Sequence, residues 1–288
     1  MPYLYLIISV FMNASSSVFG AYFNRRNDGK KDTSAFYNFL QMLGVFVCWA
    51  VLFAFDFSFS ARVVPYAVLF AFFFSICNIG IINALKHGPA TLTSLFVGLS
   101  LLLTTAWGFL FWNAKLTVFV GIGLALVVVA VYLCLYTGKK EEKKASVKWL
   151  VFVLMALVGN AGCSITQRTQ QVAFGGAHGN MLMAFATFLS AIVCFVIWLR
   201  SDKTDATDML KRSWYFPVSA GVCNVLLNIF VMKMALTSLS PSLIYPVLGV
   251  GGLMVVTLFS LFGFKEKLKW QQWLGIALGA LATALLSL

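Results

Sequence analysis

Ten stretches of this chain, each about as long as a helix that crosses a bilayer, contain no Asp, Glu, Lys or Arg. They are 3–23, 34–55, 63–85, 89–111 and 116–136, then 149–167, 180–199, 213–232, 241–264 and 270–288. About 20 apolar residues span a hydrocarbon core roughly 30 Å thick, and a helix satisfies its own backbone where no water is present. The expected fold is therefore all-α and integral to a membrane, with ten transmembrane helices. A large soluble helical protein would need polar faces at helical period, and 61% hydrophobic against 10% charged residues do not supply them.

A net charge of +12 raises nucleic acid as a partner, but the placement of the charge excludes it. Of 21 Lys and Arg, 17 fall in alternate loops: 24–33, Lys86, 139–148, 200–212 and 265–269. The other side carries Arg62, Lys115, Arg168 and Lys233, all counted here as loop residues. This is the positive-inside bias, which puts both termini outside and the lysine-rich loops in the cytoplasm. Those lysines also suit contact with the anionic headgroups of a lipid bilayer. The expected location is a bacterial cytoplasmic membrane.

The six cysteines, Cys48, Cys77, Cys134, Cys163, Cys194 and Cys223, lie singly in apolar spans, reading as small hydrophobes and not as disulfides or metal ligands. The first span lacks a basic n-region and is too long for a signal-peptide core, so it counts as a helix. No span holds the carboxylate or His cluster that metal or acid–base chemistry needs, so neither an enzyme nor a cofactor is expected.

The chain also reads as one five-span unit written twice: 1–137, a basic hinge at 138–148, and 149–288. An offset of 151 carries Ala84, Leu85, Leu92, Gly98, Leu110 and Phe111 onto Ala235, Leu236, Leu243, Gly249, Leu261 and Phe262. Offsets of 152 and 154 carry Lys115-Leu116 onto Lys267-Leu268 and Gly121-Ile122 onto Gly275-Ile276. An offset of 147 carries Asn13-Ala14 and Ser17 onto Asn160-Ala161 and Ser164. Five spans is an odd number, so the second copy enters from the opposite side as an inverted repeat. Such repeats underlie alternating access, with a solute bound between the halves near the midplane.

The phrases Ala84-Leu85-Lys86-His87-Gly88-Pro89-Ala90 and Ala235-Leu236-Thr237-Ser238-Leu239-Ser240-Pro241 resemble the link between third and fourth helices in EamA-type carriers of the drug/metabolite transporter superfamily. The run Phe264-Lys265-Glu266-Lys267-Leu268 with Gln271, Gln272 and Gly275 is similar to that family's junction of helices nine and ten. Two features depart from the pattern: Asn113-Ala114 stands where the repeat would place an acidic residue, and termini outside is opposite to the common arrangement. The resemblance implies a transporter whose helices one, three, four, six, eight and nine surround a central cavity.

Polar residues at helical spacing inside spans are the candidates for contact with a small-molecule solute, because an unpaired polar group in lipid is costly. Asn13 and Ser17 share a face of the first span, and Asn160, Ser164 and Gln167 share a face of the sixth. Asn224 and Asn228 lie four apart in the eighth, with Asn78 at the matching place in the third. The fourth aligns Thr93, Ser100, Thr104 and Trp107, and the ninth carries Tyr245 before Pro246, where a kink is expected, and then Gly249, Gly251 and Gly252. The bland alternative for each is a bond to a neighbouring helix. Gly275 and Gly279 form a small-residue stripe suited to packing within the chain or to a homodimer.

No acidic residue lies within a span; all nine fall in loops or at span ends. Exchange of protons for cationic drugs commonly uses an intramembrane carboxylate. The expectation is thus a secondary carrier of a neutral or zwitterionic metabolite. A multidrug or cation exporter, or a non-transporting sensor or assembly subunit, is the alternative.

Overall fold

A computed structural model of the chain describes residues 2–87, 90–135, 146–263 and 269–286. Most of the hinge, the Gly88-Pro89 step and the 264–268 junction lie outside the described residues. The long helices are α1 (Pro2–Arg26), α2 (Thr33–Phe55), α3 (Val64–His87), α4 (Ala90–Phe111), α5 (Val118–Cys134), α6 (Val147–Ala173) and α7 (Gly179–Leu199). After a short α8 (Ala206–Ser213) come α9 (Tyr215–Ala235), α10 (Pro241–Gly263) and α11 (Trp270–Leu286). Among the described residues α1, α2, α3, α6, α7, α9 and α10 are each long and apolar enough to cross a membrane, and the apolar stretches 96–111, 118–134 and 270–286 are shorter.

Helix starts follow local chemistry. The Thr117 hydroxyl accepts the Val120 amide at 3.2 Å to open α5, and Ser146 accepts that of Trp149 at 3.1 Å to open α6. Large side chains such as Val51, Phe72, Val129, Leu154, Phe188 and Leu281 are exposed on the outer surface. An apolar exterior of that extent is a lipid-facing surface.

The helices associate in a regular set of pairs. α3 packs on α6 and α1 on α9; α4 on α6 and α1 on α10; α3 on α7 and α2 on α9; α2 on α7, α4 on α10 and α5 on α11. Several crossings need glycine because no side chain fits. A Cβ on Gly80 would stand 2.6 Å from the Ala156 nitrogen, and one on Gly159 would stand 2.6 Å from the Cys77 nitrogen. Gly249 lets α10 approach α4, while Gly251 and Gly252 admit Val10 and Asn13 of α1. α10 runs as one helix through Pro246.

On the α5–α11 crossing Gly123 abuts Leu286 and Ala282, and Gly275 abuts Ala130 and Cys134; Gly121 has nothing within 4 Å. Gly279 faces Met254 and Val250. The small-residue stripe of α11 therefore packs within the chain.

Loops tie the bundle at both ends. At the lysine-rich end the α1–α2 loop meets the α7–α9 segment: Lys30 pairs with Asp208 at 2.5 Å and Lys31 with Asp202 at 3.1 Å, and the Asp202 amide donates to Asp32 at 2.8 Å. Met209 of α8 seats on Phe23 and Phe36. At the other end Ser58 contacts His178 Nδ1 at 2.5 Å and the Asn180 amide donates to Asp56 at 3.3 Å.

Two basic residues counted above as loop residues belong to helices. α6 continues to Ala173 and carries Arg168 into the bundle, and α9 continues to Ala235 with Lys233. Lys233 stays exposed, its ammonium 5.9 Å from the Tyr5 ring, as a snorkelling lysine does.

Candidate functional site

A cavity of about 660 Å³ lies between the two halves, lined by α1–α4, α6, α7, α9 and α10. All six helices that the resemblance placed around it contribute, its eighth and ninth being α9 and α10, joined by Met42 and Val45 of α2 and Thr187 and Ser190 of α7. Asn13, Ser17, Asn78, Asn160, Ser164 and Gln167 line it, as do Asn224, Asn228 and Tyr245.

Asn13 and Asn160 occupy related positions with related bonds. Asn13 Nδ2 donates to the Leu248 carbonyl at 3.3 Å. Asn160 Nδ2 donates to Ser100 Oγ at 2.6 Å, and that hydroxyl donates to the Val97 carbonyl at 2.6 Å. Val97 and Leu248 are 151 residues apart, the offset between the third and fourth helices of the two halves. Ser17 and Ser164 then donate to the carbonyls of Asn13 and Asn160 at 3.1 and 3.4 Å. Each asparagine is thus fixed by one bond and keeps amide capacity for a polar solute.

Elsewhere on the lining Gln167 Nε2 donates to Asn228 Oδ1 at 2.8 Å, and Asn228 Nδ2 donates to the Asn224 carbonyl at 2.8 Å. Asn78 Nδ2 donates to the Phe74 carbonyl at 3.0 Å. The remaining lining is apolar, including Phe70, Phe74 and Leu253, so the cavity offers a few placed polar groups on an apolar wall, the usual make-up of a small-molecule site.

Two candidates stand outside. Ser100 is fully buried behind Asn160, which it positions. Trp107 is 38% exposed on the outer surface and stacks on Phe111 at 4.1 Å. The lining of α4 runs through Thr93, Val97 and Leu101, and Trp107 lies six residues, about 9 Å of axial rise, beyond the last of them.

The two ends of the cavity differ. Toward the Ser58–His178 end, α10 is buried without a break from Pro241 to Leu248, and Gln170 and Gln171 are buried and bonded to each other at 2.7 Å. Toward the lysine-rich end, Ser17 is exposed and residues 253–256 of α10 are only half-buried. Among the described residues the cavity is thus buried at the first end and more exposed at the second.

The buried end contains the residue that sequence reasoning missed. Arg168 is 8% exposed, with its guanidinium 5.2 Å from the centroid of the Trp112 ring, which in turn lies 6.2 Å from that of Tyr245. A span ended at the first charge leaves Arg168 in a loop. The buried Thr166, Gln167, Gln170 and Gln171 around it continue the inward face and were the available signal. Among the described residues no group of three or more His, Cys, Asp or Glu could hold a metal.

The family model described as the EamA-like transporter family matches residues 1–136 and 148–288. No curated protein sequence matches. A crystal structure of another protein superposes with a TM-score of 0.76 at 12% identity, covering 98% of this chain and 94% of its own, and so shares the fold.

Proposed function

The chain belongs to the EamA-like transporter family, and on that premise we propose that it is a secondary carrier moving a small, non-cationic metabolite by alternating access between two inverted five-helix halves. The observation that carries this is the 660 Å³ cavity, buried at one end, with Asn13 donating to the Leu248 carbonyl of α10 and Asn160 to the Ser100 hydroxyl of α4, which donates on to the Val97 carbonyl.

Helix pairing supports the inverted repeat. Exchanging α1–α5 with α6, α7, α9, α10 and α11 in order turns the α3–α6 contact into α9–α1, α4–α6 into α10–α1 and α3–α7 into α9–α2. The α2–α7, α4–α10 and α5–α11 contacts map onto themselves. The loop ties exchange too, the Lys30–Asp208 end for the Ser58–His178 end. Gly123 and Gly275 have equivalent environments, which favours a single offset of 152 over 154 in the last helix. The family match divides at the lysine-rich hinge.

In this account the described conformation opens toward the lysine-rich side, the cytoplasm by charge bias, and both termini lie outside. The bundles α3–α4–α6 and α1–α9–α10 rock around the solute to open the other end. No described carboxylate lines the cavity, which opposes cation carriage.

The test is counterflow exchange by the purified protein in liposomes, using pools of neutral amino acids, organic acids, sugars, nucleosides and quaternary amines, with and without a pH gradient. Saturable exchange of a non-cationic pool is expected. Movement of quaternary amines alone, dependent on the pH gradient, would instead support a cation exporter.

A further inference from the structure

Among the described residues Arg168 is a buried cation with no counter-ion. Its Nε has no hydrogen-bond partner, and among the described residues no carboxylate pairs with it. The described ion pairs join the α1–α2 loop and α8 with its flanking segment at the lysine-rich end, opposite the end where Arg168 lies. The Trp112 face offsets part of the charge, as a cation–π contact does, but supplies no acceptor. A buried guanidinium left short of acceptors is costly, and an anionic oxygen is the partner its donors fit.

Tyr245 connects this charge to the cavity. It lines the cavity, is 2% exposed, and its ring lies 6.2 Å from that of Trp112, the ring over which the Arg168 guanidinium sits. A phenol has its own O–H proton to give to an anion, and a cation nearby strengthens that donation. Gln167, next to Arg168 in the chain, also lines the cavity.

We infer that the buried end recognises an oxyanion of the solute, carboxylate or phosphate, with Tyr245 touching it and Arg168 as the positioning cation behind. This rests on the carrier account above and narrows its solute to an acid or a zwitterion whose anionic end points toward Tyr245. When the bundles rock and this end opens, the guanidinium itself comes within reach of the departing anion.

The experiment uses liposome counterflow with paired probes that differ in the anionic group: leucine against leucinamide, isovalerate against isovaleramide, glucose 6-phosphate against glucose. The wild type is expected to exchange at least one acid about tenfold or more faster than its uncharged or amidated partner, the scale of one charge-assisted hydrogen bond. Which pair responds separates carboxylate from phosphate. Tyr245→Phe and Arg168→Gln should bring that ratio close to one, while Arg168→Lys should retain most of it.

Variants that slow both members of a pair equally and leave the ratio unchanged would make Arg168 a packing residue and overturn the inference. Equal wild-type exchange of acids and amides would overturn it while leaving the carrier standing. Silence from every pool, with the protein folded and monodisperse, would overturn both. Should Arg168→Gln not fold, Tyr245→Phe keeps the ring in place and carries the same test.

Discussion

Where α3 crosses α6, backbone nearly meets backbone; where α1 crosses α9, rings stand between the helices. Gly80, Gly159 and Gly162 clear the first crossing, and the added methyl of any of them would fall within 2.7 Å of a neighbour. Tyr5 meets Phe230 at 5.5 Å and Tyr22 stacks on Phe216 at 5.9 Å in the second, where offsets of 147 and 151 place Met12 and Val231 opposite Gly159 and Gly80. The asparagines follow the same division: Asn160 is held at 2.6 Å to a buried hydroxyl, and Asn13 at 3.3 Å to a carbonyl. Two units with one layout thus differ in tightness. A close backbone crossing resists sliding, whereas ring contacts can re-pair, so α3–α4–α6 is the stiffer bundle and α1–α9–α10 the more yielding one.

The largest expected effect tests that stiffness. Gly159→Leu must force α3 and α6 apart and should cost on the order of 3 kcal/mol or more, seen as loss of monodisperse protein. Met12→Leu at the related place should cost less than about 1.5 kcal/mol. Equal damage from both would remove the distinction between the crossings.

Next come the asparagine supports. Ser100→Ala deprives Asn160 of its acceptor and should lower stability by about 1–2 kcal/mol, measured by thermal melting in detergent. Asn13→Ala, losing a longer bond, should cost roughly half of that while still impairing exchange.

A smaller effect separates the glycines of α10 and α4. A Cβ on Gly252 would stand 2.7 Å from Asn13 Nδ2, so Gly252→Ala should turn the amide and slow exchange about threefold to tenfold with little change in melting. Gly98→Ala meets only ordinary contacts at 3.6 Å and should leave exchange unchanged.

The smallest effect lies in the loops. The Asp202 carboxyl is held down to about 2 by the Thr204 hydroxyl and amide, and then by Lys31. A depressed pKa contributes stability above the ordinary carboxylate range and loses it as pH falls from about 4 through 2. Because Asp202 is solvent-exposed, Asp202→Asn should scarcely move the melting temperature at neutral pH, and solvent exchange at the Thr204 amide should rise only in acid.

The spans were legible because lipid forbids unpaired charge, and the asparagines because amides are rare and costly in such surroundings. The same rule hid Arg168: ending a span at the first charge is sound for lipid-facing residues and fails for one turned into the bundle. Trp107 failed for a different reason, since i, i+4, i+7 spacing defines a shared face but not how far along the helix a cavity reaches. Nor did the apolar pattern reveal the α3–α6 crossing, because Gly80 and Gly159 acquire their role only from a partner helix about 80 residues away in the chain. α8 has just eight residues, held by Met209, and short amphipathic turns leave little trace in hydropathy.

The most direct test of a solute site shared by the two halves is counterflow by the double variant Asn13→Ala/Asn160→Ala in liposomes, alongside wild type, with folding checked by melting. The account predicts that exchange of the wild-type solute falls to the level of protein-free liposomes while the protein remains folded. Exchange at the wild-type rate would contradict it.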